Sequence, residues 1–235
     1  MFEDILSKGL ENLNIVYPQD AISKLKRYSE LLEEKNKVMN LTAISGEEDT
    51  VRLHFLDSAA FLTATDISGK TLIDVGTGAG FPGLVLKILR PDANIILLDS
   101  LDKRINFLKE VCEELDLKNV ECIHARAEEI PKNMRESADF VTSRAVADLK
   151  ILSELCIPYL KINGQFIALK GPDFEKELSG AKPLIGQLGG KYEDSIIYTI
   201  PETDINHSLL VIRKINTTPA NFPRRWAQIK KPGGK

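Results

Sequence analysis

Only three cysteines occur in this 235-residue chain, Cys112, Cys122 and Cys156. They are widely spaced and odd in number, which excludes a disulfide framework and a cysteine-ligated metal cluster. Free buried thiols belong to a reducing compartment, so a cytoplasmic protein is expected. No stretch reaches the ~20 consecutive apolar residues that span a bilayer, so no membrane is expected as a partner. The start, Met1 to Lys8, has early acids and no long apolar core, so a secretory leader is not expected. No internal repeat or low-complexity tract is present. Acids are missing altogether after Asp204. Residues 205–235 carry +7, which leaves −10 on the rest of a chain of net charge −3. Such asymmetry excludes a protein basic all over and points to local contact with a polyanion.

What is present centres on residues 71–83, Thr-Leu-Ile-Asp-Val-Gly-Thr-Gly-Ala-Gly-Phe-Pro-Gly. Leu72, Ile73 and Val75 form an apolar, partly β-branched run that predicts a buried strand. Gly76, Gly78, Gly80 and Gly83 follow within a few positions and allow a tight turn with close ligand approach. Pro82 suits a first helical position, and the apolar run Leu84–Leu89 continues as a buried helix. Strand, glycine loop and helix make the first crossover of a nucleotide-binding α/β domain.

Two ligands suit such a loop. Gly78-x-Gly80-x-x-Gly83 matches the dinucleotide fingerprint, which would make the chain an NAD-dependent oxidoreductase. Asp74-x-Gly76-x-Gly78-x-Gly80 resembles instead the cofactor loop of class I S-adenosylmethionine-dependent methyltransferases. An acid at that strand end suits a cationic ligand and repels a pyrophosphate. Asp99 ends the second apolar run, Asn94–Asp99, where a carboxylate accepts hydrogen bonds from ribose hydroxyls. That serves either ligand, and a helix N-cap is its other use.

Three segments are expected. Residues 1–68 form an N-terminal helical extension packed on the core, with helices from Phe2, from Pro18 and over Glu47–Thr63. Residues 69–215 form the α/β core. Strands are placed near 71–75, 94–98, 120–124, 138–143, 164–169, 192–200 and 207–214. Helices are placed near 82–90, 101–116 and 147–160. The short link 201–206 makes the last two strands an antiparallel pair. Residues 216–235 form a basic tail, rich in Pro and Gly, without regular structure and outside the cofactor domain. Its Phe222-Pro-Arg-Arg-Trp226 sets two guanidinium groups between aromatic rings, a pairing suited to RNA phosphates and exposed bases.

Several stretches together resemble one family. They are Met39–Ile44, His54–Ser58, Asp74–Gly83, Leu98–Leu101 with Lys103-Arg104, Ala127-Glu128, Ser143–Ala145, Ala168–Gly171 and Phe222–Arg225. In this order they are similar to the glucose-inhibited division protein B family, the RsmG-type methyltransferases of small-subunit ribosomal RNA. After Arg225 the chain departs from the family's usual Gly-Thr-Pro-like turn and reads Trp226-Ala-Gln-Ile-Lys230. The resemblance implies a Rossmann-like class I methyltransferase fold: a mostly parallel seven-stranded sheet with an antiparallel final strand.

It also implies methyl transfer from S-adenosylmethionine, leaving S-adenosylhomocysteine, to N7 of a guanine in 16S ribosomal RNA, free or in the small subunit. No metal is involved, and a monomer is favoured. Gly76, Gly78 and Gly80 would let the backbone follow the cofactor. Asp74 would orient its methionine end, directly or through water, and Phe81 would pack beside it. Asp99 would hold the ribose, with Ser100, Leu101, Ala127 and Glu128 near the adenine. Arg144, after the fourth strand, would bind the cofactor carboxylate or the target guanine. His54 and Asp57 would stand on the substrate side near the methyl donor; the alternative is a pair bracing the N-terminal helices. His124 and His207 look structural. Lys170, Arg224, Arg225, Lys230 and Lys231 would meet RNA. The competing reading outside catalysis is an RNA-binding ribosome-assembly protein.

Overall fold

A computed structural model describes residues 1–144 and 147–230. Helix α1 (Phe2–Asn12) buries Phe2, Leu6 and Leu10, the one-turn spacing of a single apolar stripe. Helix α2 (Ala21–Met39) buries Ala21, Leu25, Tyr28, Leu31 and Leu32 and ends where Asn40 turns left-handed. A continuous helical rod follows: α3 (Glu47–Asp49), a π-helical stretch Thr50–Leu56, α4 (Asp57–Ala59) and a 3-10 turn Ala60–Thr63. A π stretch rotates side chains off the regular stripe, and functional residues often use it. Here it carries His54 and hands over directly to Asp57.

The alternation of strands and helices begins at β1 (Thr71–Val75). It continues with α5 (Gly83–Leu89), β2 (Asn94–Asp99), α6 (Asp102–Glu114), β3 (Val120–His124) and β4 (Ala138–Arg144). Then come α7 (Leu149–Cys156), β5 (Leu160–Lys170), α8 (Glu175–Gln187), β6 (Gly190–Thr199) and β7 (Asn206–Lys214). The seven strands lie in the order β3-β2-β1-β4-β5-β7-β6. Strands β3, β2, β1, β4 and β5 pair in parallel, and β7 runs antiparallel between β5 and β6. The expected antiparallel ending is therefore present. The chain leaves β1 towards β2 on one side and returns to β4 on the other. That reversal opens a crevice at the carboxyl ends of β1 and β4.

Both sheet faces are covered. One apolar cluster joins the N-terminal helices, α5 and α6 through residues such as Leu6, Tyr28, Phe55, Leu84 and Leu108. The other joins α7 and α8 to the sheet through Leu152, Tyr159, Phe166 and Leu184. Four rings (Phe2, Phe55, Tyr28 and Phe81) pack in succession, edge-to-face, tilted and stacked in turn, and tie the N-terminal helices to the glycine loop. Each fully buried ring contributes roughly 1.5–3 kcal/mol.

Two expectations are corrected. Helix α8 adds to the three helices placed in the core, although Gly180, Pro183 and Gly186 fall within it. It forms because Leu178, Ala181, Leu184 and Ile185 still share one buried face, and burial outweighs the propensity loss. The tail is not without regular structure either: its described residues include a helical turn, α9 (Trp226–Ile229), and Ile229 is buried.

Candidate active site

A cavity of about 470 Å³ opens at the crevice. Its floor is the loop after β1. Gly76 and Thr77 donate their backbone N–H groups to the Leu98 carbonyl at 2.8 and 3.1 Å, which ties the loop to β2. Gly78 has a φ of 62°, and a Cβ built on it meets nothing within 4 Å. The backbone there faces empty space that a ligand can enter. Gly80 differs: a Cβ would stand 2.6 Å from the Tyr28 hydroxyl and 2.7 Å from Leu84. Gly80 serves packing and is not on the cavity wall, contrary to its expected place beside the cofactor.

Asp74 is also absent from the wall and is fully buried beneath the loop. Its Oδ2 accepts hydrogen bonds from Thr77 Oγ1 (2.7 Å) and Gly83 N (2.8 Å), while Oδ1 has no partner. Burial pushes its carboxyl up to about 6, against the pull of those two hydrogen bonds. Direct contact with a ligand is thus replaced by loop support. At neutral pH its buried negative charge acts through the thin loop, which favours a cationic ligand above.

Asp99 does line the cavity. Its carboxylate accepts from Gly78 N (2.9 Å), Leu101 N (2.9 Å) and Arg104 Nη1 (3.2 Å). Of roughly four lone-pair sites, about one remains for a hydroxyl. Ser100, Ala127 and Glu128 line the same cavity. Leu101 does not; its side chain is exposed, and only its backbone takes part, through Asp99.

Arg144 closes the opposite end, together with His54 and Phe81. Its Nη1 donates to the Leu53 carbonyl and to Asp57 Oδ2, each at 3.0 Å, and its Nη2 donates to His54 Nδ1 at 2.8 Å. Its guanidinium lies 5.0 Å from the Phe81 ring centre. His54 stacks on Phe81 at 4.2 Å and 7°. Because Arg144 has no lone pair, His54 Nδ1 must accept, so the proton sits on Nε2, which donates to Thr42 Oγ1 at 2.8 Å. Asp57 is not on the wall. Its Oδ1 accepts from Tyr198 and from His207 Nδ1, each at 2.7 Å. Burial would raise the Asp57 carboxyl, but the His207 hydrogen bond, the Arg144 charge and the Tyr198 hydroxyl hold it below the usual value. His54 and Asp57 thus brace Arg144, and neither offers a free acid or base to the cavity.

This bracing has a titration consequence. Burial, then the nearby Arg144 charge, lower His54 to about 3 from its ordinary 6.5. Between those values the unfolded chain binds the proton and the folded chain does not, so acidification favours unfolding. The loss is on the order of 2 kcal/mol by pH 5. Asp74, raised to about 6, acts in the opposite sense between pH 6 and its model-peptide value of 3.8. Comparing the chain with its His54→Gln variant separates the two. Denaturant melts at pH 7 and pH 5 should show the native sequence losing about 2 kcal/mol more than the variant. Equal losses would mean that His54 is not held neutral.

Two residues expected to meet RNA have acidic partners within the fold. Lys170 is 12% exposed and pairs with Glu177 at 2.6 Å. Arg224 is paired with the buried Glu154, Nη2 to Oε2 at 2.5 Å. Both are spent on holding the fold. Lys231 lies outside the described residues, whereas Arg225 and Lys230 are exposed. Residues whose part in the site was missed in the sequence include Thr42, Tyr198, His207 and Leu155, while Trp226, read as an aromatic suited to RNA, also lines the cavity. Thr42 lies within one of the resembling stretches. The other missed residues gave no local signal, because their partners come from distant segments. Among the described residues no cluster of three or more His, Cys, Asp or Glu side chains could hold a metal. No described helix is long and apolar enough to cross a membrane.

The profile of a family described as rRNA small subunit methyltransferase G matches residues 21–194. The ribosomal RNA small subunit methyltransferase G of Clostridium perfringens (strain SM101 / Type A) is 48% identical over 233 residues, covering 97% of this chain and 98% of that protein. Among solved structures, M. jannaschii TYW2 in complex with AdoMet superposes with a TM-score of 0.57 at 16% identity, covering 74% of this chain and 80% of that one. A 16S rRNA (adenine(1408)-N(1))-methyltransferase mutant from Catenulisporales acidiphilia gives 0.53 at 14% identity, over 69% and 93%. At these identities the two solved structures speak for the fold alone, which is the expected Rossmann-like methyltransferase fold.

Proposed function

The chain belongs to the rRNA small subunit methyltransferase G family, and from that premise we propose that the crevice cavity is its S-adenosylmethionine site and that the Arg144 end is where guanine enters. The protein is an S-adenosylmethionine-dependent methyltransferase of small-subunit ribosomal RNA, acting on guanine N7. Oxidoreductase and non-catalytic readings find no support. When bound, S-adenosylmethionine supplies a methyl group already activated on a sulfonium.

The observation that carries the site reading is the open face of Gly78 beside Asp99, above the buried Asp74. A flexible backbone, a hydroxyl acceptor and a buried negative charge suit a cationic adenosine derivative. In this reading Gly76 and Gly78 form the floor, Asp99 takes a ribose hydroxyl, and Ser100, Ala127 and Glu128 border the adenine. Phe81 and Arg144 border the methionine and guanine side.

Guanine N7 has an exposed lone pair, so no group need remove a proton before it attacks. That agrees with the bonding at the Arg144 end, where His54 and Asp57 are fully occupied with neighbours. The chain's contribution is then position: a guanidinium clamped from several sides presents fixed donors to a carboxylate or to the guanine O6 edge. Mapping N7-methylguanine in 16S ribosomal RNA at nucleotide resolution, with and without the protein, tests the reading. No new modified guanine would refute it.

Arg225 and Lys230, exposed on the tail, are assigned to RNA phosphates in this proposal. The double variant Arg225→Ala/Lys230→Ala should bind 16S ribosomal RNA more weakly at every sequence. Its salt slope should fall by about 1–2, as expected for one or two lost phosphate contacts. An unchanged slope would leave the two residues as solvated surface charge. The reading also includes a monomer in the cytoplasm, where ribosomal RNA is available.

A further inference from the structure

The tail folds back on the core and is pinned at several points. Arg135 donates Nη1 to the Phe222 carbonyl at 2.7 Å, and Nη2 to the carbonyls of Thr218 at 2.9 Å and Pro219 at 3.1 Å. The Thr218 N–H donates to Glu136 at 2.7 Å, and its hydroxyl to the Leu188 carbonyl at 2.7 Å. The strongest anchor is Glu154, whose side chain is fully buried on α7. It accepts from the Arg224 backbone N–H and from its Nε and Nη2. Two residues later comes Trp226, and three beyond that the buried Ile229.

Trp226 is thus held from both sides, yet its indole is 37% exposed. It does not join either core cluster. It lines the same cavity as Asp99, Ala125, Ala127, Glu128 and Leu155. Core packing does not account for an aromatic side chain fixed in that position. A flat apolar ring on a cavity wall next to small and aliphatic side chains is a stacking surface for another flat ring.

We propose that Trp226 is a wall of the cofactor's adenine subsite, so that the tail completes the cofactor site as well as facing RNA. The inference rests on the cavity being the S-adenosylmethionine site. It differs from the expectation that the tail lies outside the cofactor domain. A ribosomal RNA base is the competing occupant of the indole. Adenine is favoured because Trp226 shares one cavity with Asp99 and Gly78, and because the Glu154 anchor fixes the ring over that cavity.

Trp226 is the only tryptophan in the chain, so its fluorescence reports on this position alone. The full chain is titrated with S-adenosylhomocysteine by calorimetry and by emission in parallel. Emission should change with the same midpoint as the heat. Trp226→Ala should weaken binding about tenfold, the scale of losing one base–aromatic stack. Trp226→Phe should stay within about threefold of the native affinity, because it restores a stacking face. Methylthioadenosine, which lacks the amino-acid arm, should lose the same factor in Trp226→Ala. Circular dichroism checks that the variants fold. Native affinity in Trp226→Ala overturns the proposal, and so does a loss confined to S-adenosylhomocysteine and absent for methylthioadenosine. Native affinity together with weakened RNA binding would assign the indole to an RNA base. No binding by the native chain would refute the cofactor site itself.

Discussion

Arg144→Lys is expected to lose roughly a hundredfold in methyl transfer, nearly as much as Arg144→Ala, the scale at which misplacing a positioned group acts. The guanidinium bonds the Leu53 carbonyl, Asp57 and His54 at once while lying over Phe81. A lysine ammonium keeps the charge beside Asp57 but cannot hold a planar fork over the ring. The two variants should separate in stability. Alanine leaves the Asp57 carboxylate buried without its cation, which costs about 3–5 kcal/mol, whereas lysine should retain most of that pairing. Single-turnover methylation at saturating cofactor and RNA, with denaturant melts, reads both quantities. Full turnover by the lysine variant would reduce Arg144 to a structural charge.

The second large effect lies at Gly78. Gly78→Val should abolish S-adenosylmethionine binding in calorimetry. The valine side chain would occupy the open face of the loop where the ligand belongs. Its fold should survive, because nothing in the protein lies within 4 Å of the added Cβ. The left-handed backbone costs about 1–2 kcal/mol in strain. Gly80→Ala is the informative contrast: its methyl would strike Tyr28 and Leu84, so it should lower the melting temperature more than Gly78→Val does. If the Gly78 variant bound cofactor normally, the loop would not be the cofactor floor.

These two glycines show what a sequence can and cannot convey. Their clustering after an apolar run announced the strand, the turn and the helix, because those are local events. Which glycine faces the ligand and which faces Tyr28 depends on α2 crossing the loop, and no local pattern carries that. Asp99 was legible because it ends a strand whose carboxyl end faces the crevice, whereas Ser100, Ala127 and Glu128 were placed by the family resemblance. The acidic partners of Lys170 and Arg224 were hidden for a related reason. A cation's role depends on whether an acid meets it, and Glu177 and Glu154 come from other helices. Asp57 meets His207 150 residues later in the chain, so a histidine at a strand end gave no sign of its partner. Helix α8 was hidden by Gly180, Pro183 and Gly186, whose propensities oppose a face that tertiary burial decides.

The anchoring of Arg224 on Glu154 bears on how the enzyme is made. Synthesis completes the glycine loop and all five parallel strands by Lys170, long before Trp226 is added. Until then Glu154 has no cation, and the far end of the cavity stands open. A nascent chain, or one cut ahead of Arg224, therefore has its sheet but an unfinished pocket. On the Trp226 proposal, full cofactor affinity arrives late in translation, and a chain ending ahead of Arg224 would bind the cofactor about tenfold more weakly and leave the buried Glu154 without its cation.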